Sequence, residues 1–102
     1  MSPRRACRKD ANHNQIADAF RAAGCLVIDT HQFAQYVPGY PDLDVRWGEA
    51  SILIEVKTAD GELTDDERAF YQLCASYDVP YYIVRDVEQA LTIAKVLRRE
   101  GA

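Results

Sequence analysis

Cysteine and histidine are scarce in this sequence, and neither occurs at a spacing that suggests a cross-link. The three cysteines, Cys7, Cys25 and Cys74, are an odd number with no close pair, which argues against a structural disulfide. Cys25 and Cys74 lie in apolar patterns and are expected in the core. The two histidines, His13 and His31, have no cysteine or histidine at zinc-site spacing, which argues against a structural zinc site. Both are expected to be surface residues rather than catalytic bases.

Long apolar runs are also absent. No run approaches the ~18 residues of a membrane-spanning helix, and no apolar stretch of the signal-peptide kind follows the basic N-terminus. We therefore expect a cytoplasmic protein with no membrane partner, and nothing suggests a nucleotide cofactor. With 102 residues, 48% of them hydrophobic and 27% charged, the chain is expected to form one domain over residues 1–102, with 1–9 as a flexible basic N-terminus.

Acidic residues outnumber basic residues, but the two kinds are segregated along the chain. The net charge of −4 argues mildly against a nucleic-acid partner, because affinity for phosphate comes largely from lysine and arginine. One basic cluster near the N-terminus comprises Arg4, Arg5, Arg8 and Lys9. Because segregated charge can present a basic face, this cluster is a candidate DNA contact. A solvated chain terminus explains it equally well.

Hydrophobic periodicity predicts helices and strands in the order α-β-β-β-α-β-α. The first helix is expected from about Asp10 to Ala23, followed by a glycine stop. The predicted strands are 25–29, 42–47, 51–58 and 81–84. Two capping boxes begin the later helices, Thr64 with Glu67 and Asp86 with Gln89. The second helix is expected to face inward through Phe70, Leu73, Cys74 and Tyr77. This order predicts a single-domain α/β fold, a mixed sheet with helices packed against it.

The register of one predicted hairpin is fixed by its apolar faces. Val45 lies on the apolar face of the first strand, and Ile52 lies on the apolar face of the second. Pairing them requires a two-residue turn at Gly48-Glu49, and glycine suits the first position of a type II′ turn. The same register fixes the partner of every other residue in the hairpin.

This register brings two carboxylates together. Asp42 lies directly opposite Glu55, with Lys57 two residues further along the same face. Opposed side chains have Cβ atoms about 4.5–5.5 Å apart, and carboxylates so close repel unless they are protonated or bridged by a cation. Carboxylate and carbonyl oxygens suit Mg²⁺ or Mn²⁺. Lys57 could position or deprotonate the attacking water, or stabilise charge in a phosphodiester transition state. The alternative is a surface strand with a Glu55–Lys57 pair and a turn-forming Asp42.

Pro41-Asp42 and Glu55-Val56-Lys57 resemble the motif of the PD-(D/E)XK nuclease superfamily, whose restriction-endonuclease-like αβββαβ core matches the predicted order with a C-terminal helix added. More narrowly, GYPDLDV, LIEVKT and GELTDDERAFYQLC resemble the small VRR-NUC-type nucleases, which include stand-alone phage and prophage versions. The resemblance implies a homodimeric, Mg²⁺- or Mn²⁺-dependent endonuclease in a bacterial or phage-infected cell. Its DNA substrates would be branched or flapped structures such as Holliday junctions, with duplex DNA as an alternative.

The resemblance also implies roles for individual residues. Asp42 and Glu55 would bind the metal with the backbone carbonyl of Val56, and Lys57 would be the catalytic lysine. Members often have an acidic residue in the first helix near the metal. The best-placed position here is Gln15, with Asn12 and Asp18 as neighbours. Gln15 can hold a metal-bound water but brings no charge. The number of metal ions therefore stays open.

Two further regions of the family pattern carry weaker expectations. Members often have a glutamine in the second helix that faces the site, where this sequence has Glu67 or Arg68 and no role is assigned. In the loop over residues 31–41, Tyr36 and Tyr40 could stack on unpaired bases, or form a small core of the loop or a dimer interface. A non-catalytic nucleic-acid- or protein-binding domain of the same fold is the alternative to a nuclease.

Overall fold

A computed structural model describes residues 11–101, in which the elements follow the predicted order. The helices are α1 (Ala11–Ala22), α2 (Asp65–Ser76) and α3 (Val87–Glu100), and a short 3₁₀ helix spans His31–Gln35. The strands are β1 (Leu26–Asp29), β2 (Leu43–Trp47), β3 (Ala50–Val56) and β4 (Tyr81–Val84). The predicted α/β class is confirmed. The expected flexible N-terminus, residues 1–9, lies outside the described residues.

The four strands form one mixed sheet in the order β1-β2-β3-β4. The β1–β2 and β2–β3 pairs are antiparallel, whereas β3 and β4 are parallel. A parallel pair cannot be joined by a tight turn, and α2 supplies the crossover between β3 and β4. Within residues 11–101, no helix has the length and apolar character needed to cross a membrane.

The β2–β3 hairpin has the register that its apolar faces predict. Val45 pairs with Ile52, and the two-residue turn is Gly48-Glu49. Gly48 has a φ of 61°, and Glu49 is not among the residues with positive φ, which fits a type II′ turn. A Cβ atom on Gly48 would lie 2.2 Å from the carbonyl oxygen of Gly101, just beyond α3. Glycine is therefore required both by the turn and by the close approach of the end of α3.

The hydrophobic core lies between one face of the sheet and the pair α1 and α3. Its largest fully buried side chains include Phe20 and Ile16 from α1, Leu97 from α3, and Leu43 and Ile54 from the hairpin. Burying each of these side chains contributes roughly 1.5–3 kcal/mol. The hairpin is thus anchored through its apolar face, which leaves the opposite face free to carry charge.

The predicted inner stripe of α2 is largely wrong. Cys74 is buried and Phe70 is half-buried, but Leu73 and Tyr77 are 50% and 73% exposed. The ring of Tyr71 packs instead on that of Tyr81 in β4, at 5.0 Å between centroids. Because β4 is an edge strand, a helix that lies over it has the sheet beneath only one side. Leu73 and Tyr77 therefore stay uncovered.

The two capping boxes differ. At the start of α2, Glu67 N–H donates to Thr64 Oγ1 at 3.2 Å, and Thr64 N–H donates to Glu67 Oε1 at 2.9 Å, so the predicted box is complete. At the start of α3, Asp86 accepts from the Gln89 N–H as predicted. The Gln89 side chain, however, accepts from the N–H of Arg85, so only half of the second box forms.

Candidate active site

Asp42 is held across the hairpin by backbone groups of β3. Leu43 pairs with Ile54. The next residues along the two strands, Asp42 before Leu43 and Glu55 after Ile54, therefore lie opposite each other. The N–H of Asp42 donates to the Ile54 carbonyl at 3.0 Å. One carboxylate oxygen, Oδ2, accepts from the N–H of Val56 at 2.8 Å. These two bonds fix the position of Asp42 relative to β3.

Glu55 is a buried carboxyl group with an unmet hydrogen-bonding requirement. Its exposed fraction is 3%, and its Oε1 atom has no hydrogen-bond partner among the described residues. Burial raises the pKa of Glu55 to about 10, and the nearby charges of Asp42 and Glu67 add to the rise. Burial raises the pKa of Asp42 as well. The two carboxyl groups thus occupy a place that disfavours negative charge unless a cation compensates it.

Lys57 lies between two carboxylates. Its Nζ atom is 2.7 Å from Glu67 Oε1 and 3.7 Å from Glu55 Oε2. Burial lowers the pKa of Lys57, but the attraction of Glu67 and Glu55 outweighs burial and the pKa lies above its ordinary value. For Glu67, burial raises the pKa, but Lys57 and the Thr64 N–H outweigh it and the pKa is lowered. Lys57 and Glu67 therefore form a charged pair inside the site.

Glu67 was assigned no role from the sequence, yet it belongs to this constellation. The signal that could have placed it is its capping box. The N3 residue of such a box directs its side chain back toward the start of the helix, and here the start of α2 faces the end of β3. The same Oε1 atom accepts from both Thr64 N–H and Lys57 Nζ. A local helix cap thus positions a side chain of the site.

Gln15 is an exposed residue of α1, and its role beside a metal-bound water stays a prediction. The first helix contacts the end of β3 through Asn12. The Asn12 Nδ2 atom donates to the carbonyl of Lys57 at 2.8 Å and to that of Arg85 at 3.3 Å. Asn12 ties the ends of β3 and β4 to the start of α1.

Both histidines are buried, so their prediction as surface residues is wrong. The exposed fractions of His13 and His31 are 3% and 6%, and their rings make an edge contact with 5.4 Å between centroids. The short sequence spacing that marks a zinc finger is absent, but the packing of α1 against β1 brings these residues together. They lie beside Asp29, at the end of β1.

The aromatic candidates of the loop separate into two kinds. Tyr40 is half-buried, with its ring 5.5 Å from that of Phe33 and 5.2 Å from that of Phe70. It therefore belongs to a small core under the loop, the alternative that the sequence left open. Tyr36, in contrast, is 80% exposed. The basic candidates Arg4, Arg5, Arg8 and Lys9 lie outside the described residues.

The donor set suits a hard divalent cation. Carboxylate oxygens are the ligands that Mg²⁺ and Mn²⁺ prefer, and the buried Oε1 atom of Glu55 lacks a partner among residues 11–101. A cation beside Asp42 and Glu55 would satisfy that atom and relieve the repulsion between the two groups. The carbonyl of Val56 stays a predicted third ligand.

Comparison with known proteins gives one match. The model of the VRR-NUC domain, a nuclease domain of the PD-(D/E)XK type, matches residues 5–88. That range includes Asp42, Glu55, Lys57 and Glu67. No curated protein and no solved structure among those compared matches the chain.

Proposed function

Because the chain belongs to the VRR-NUC family, whose members are nucleases of the PD-(D/E)XK type, we propose that it is a metal-dependent endonuclease that cleaves branched DNA. Family membership itself implies nuclease activity on DNA. The observation that carries the finer proposal is the buried Glu55, which lies beside Asp42 and Lys57 with one oxygen lacking a partner among the described residues.

Asp42, Glu55 and the Val56 carbonyl would hold Mg²⁺ or Mn²⁺. Such an ion, when bound, lowers the pKa of a coordinated water and offsets negative charge on the phosphodiester. Lys57 acts beside it. Glu67 and Glu55 keep the pKa of Lys57 above its ordinary value, which favours the ammonium form. In that form Lys57 is suited to donate a hydrogen bond to a phosphate oxygen or to the attacking water.

The small size of the chain supports action as a homodimer. A domain of 102 residues offers little surface for a branched duplex. Two copies related by a two-fold axis would present two sites, an arrangement that suits paired incisions across a symmetric junction. We expect a dimer in sedimentation-velocity experiments with a catalytically inactive variant bound to a four-way junction.

The direct test is cleavage of labelled single-stranded, duplex, flapped and four-way-junction DNA in Mg²⁺, Mn²⁺ or EDTA. We expect cleavage only with metal, and fastest on the branched substrates. Asp42→Asn should abolish cleavage, whereas Asp44→Asn should retain it. These two aspartates are two residues apart on the same strand face, but Asp44 is paired with Arg46 at 3.0 Å. DNA binding without cleavage in every metal would instead favour the non-catalytic domain.

Tyr36 is expected to contribute to DNA binding by stacking. Tyr36→Ala should weaken binding to flapped or junction DNA by about 1–3 kcal/mol, the usual value of one base–aromatic contact. Folding should not change, because the side chain is 80% exposed. Fluorescence anisotropy with labelled DNA measures the effect.

Tyr77→Ala is the matched control, because Tyr77 is 73% exposed and lies at the far end of α2 from Glu67. Ten residues of helix separate the two by about 15 Å. Equal losses of affinity in the Tyr36 and Tyr77 variants would contradict a specific role for Tyr36.

A further inference from the structure

A second group of metal-ligand side chains lies outside the carboxylate pair. His13 from α1, Asp29 from the end of β1 and His31 from the 3₁₀ helix each offer one ligand atom, and these atoms lie within 4.8 Å of one another. His13 and His31 are buried, and the Asp29 side chain is 28% exposed. The group is thus buried at its two histidines and partly exposed at its carboxylate.

The two histidine–aspartate distances in this group are close to those between two ligands of one transition-metal ion. His13 Nε2 is 3.2 Å from Asp29 Oδ2, and His31 Nδ1 is 3.1 Å from Asp29 Oδ1. Two ligand atoms on a tetrahedral zinc ion, each about 2.1 Å from the metal, lie about 3.4 Å apart. Side-chain shifts would turn the three groups, whose ligand atoms already lie within 4.8 Å of one another, toward one ion.

The ligand types separate this group from the carboxylate pair. Imidazole nitrogen suits zinc, cobalt, nickel or copper, whereas carboxylate and carbonyl oxygen suit magnesium or manganese. We propose that His13, Asp29 and His31 form a zinc-class site, separate from the Asp42–Glu55 site, with two histidines and one carboxylate as ligands. Three protein ligands leave at least one position for water.

The site would brace the segment that carries Asp42. Its ligands come from three elements, so one ion would join α1, β1 and the 3₁₀ helix. Thr30 lies between two of the ligands, and its N–H donates to the Asp42 carbonyl at 2.8 Å. Its hydroxyl donates to the Pro41 carbonyl, also at 2.8 Å. An ion held by Asp29 and His31 would therefore restrain the backbone on which Asp42 is placed.

Cobalt provides a direct test, because Co²⁺ reports its coordination in its visible spectrum. We expect the full-length protein to bind one Co²⁺ with the intense visible bands of four- or five-coordination, and Zn²⁺ to displace it. The Asp42→Asn/Glu55→Gln double variant should keep these bands. His31→Asn and Asp29→Asn should each weaken binding by more than about 100-fold, since even the loss of an outer hydrogen-bond partner costs 10–100-fold.

Asp18→Asn is the control, since Asp18 is an exposed carboxylate on α1, and it should bind Co²⁺ as the unmodified protein does. Circular dichroism checks that each variant folds. If a variant does not fold, the visible Co²⁺ spectrum of the unmodified protein decides whether the site exists. A spectrum with nothing but the weak bands of octahedral Co²⁺ would overturn the proposal. Thiolate charge-transfer bands in the near ultraviolet would also overturn it, as would loss of the visible bands in the Asp42→Asn/Glu55→Gln double variant. Because the readout is metal binding, it is independent of whether the protein cleaves DNA.

Discussion

Lys57→Ala is expected to slow cleavage of the preferred DNA by at least about 100-fold. Removing one preorganised group that stabilises transition-state charge typically costs 10²–10³ in rate. Among residues 11–101, Lys57 is the cation paired with Glu55, at 3.7 Å. Its side chain is only 16% exposed, so water replaces it poorly. The check is a single-turnover cleavage assay with saturating enzyme, which removes any contribution from weaker DNA binding.

Lys95→Ala is the control for this prediction, because Lys95 is an exposed lysine of α3 and its loss changes the net charge equally. Its cleavage rate should stay close to that of the unmodified protein. The loss of Lys57 also leaves Glu67 without its partner at 2.7 Å, so the stability of the variant must be measured beside its rate. A folded Lys57→Ala protein that cleaves at the original rate would remove Lys57 from the mechanism.

The second large effect concerns stability: Glu55→Gln is expected to stabilise the protein in EDTA at pH 8. Burial, reinforced by Asp42 and Glu67, raises the pKa of Glu55 to about 10 from 4.5. Below pH 4.5 both the folded and the unfolded states hold the proton. At higher pH the unfolded state loses it while the folded state retains it, so the free energy of unfolding falls as pH rises toward 10. The slope is at most about 1.4 kcal/mol per pH unit.

Glutamine cannot ionise, so the free energy of unfolding of the variant does not fall in this way as pH rises. The variant should exceed the unmodified protein in free energy of unfolding by a small amount at pH 5 and by a larger amount at pH 8, as measured by urea denaturation in EDTA. Adding Mg²⁺ or Mn²⁺ should stabilise the unmodified protein by mass action and leave Glu55→Gln unchanged. Glu49→Gln, at the exposed hairpin turn, is the control and should respond to metal as the unmodified protein does. A Glu55→Gln protein that is less stable at pH 8, or still stabilised by metal, would contradict the assignment.

The hairpin was predictable because strand side chains alternate with a period of two. A slip of one residue would have separated Val45 from Ile52, so the apolar faces alone fixed the position of Asp42 relative to Glu55. Helix phase was less certain. The sequence placed Gln15 nearest to the site, with Asn12 and Asp18 as neighbours. In the structure Asn12 donates to the carbonyl of Lys57, whereas the predicted role of Gln15 stays a prediction.

Contacts between elements that are distant in the sequence could not be predicted from it. His13 and His31 are 18 residues apart and come together only when α1 packs against β1. The exposed stripe of α2 has a similar cause. Leu73 and Tyr77 follow helical periodicity, but the position of α2 over an edge strand leaves them uncovered. Periodicity gives the apolar face of a helix, and it does not say whether another element covers that face.

The contact between the hairpin turn and the end of α3 also has a consequence for biosynthesis. Gly48 and Gly101 approach so closely that neither has room for a side chain, and the guanidinium of Arg98 lies 5.2 Å from the centre of the Trp47 ring. These partners are separated by about fifty residues, which a ribosome adds in roughly 3–10 s at 5–20 residues per second. A nascent chain therefore carries both carboxylates for several seconds before the helix that supports their hairpin has been made. The candidate site therefore reaches its final form only after α3 has been synthesised.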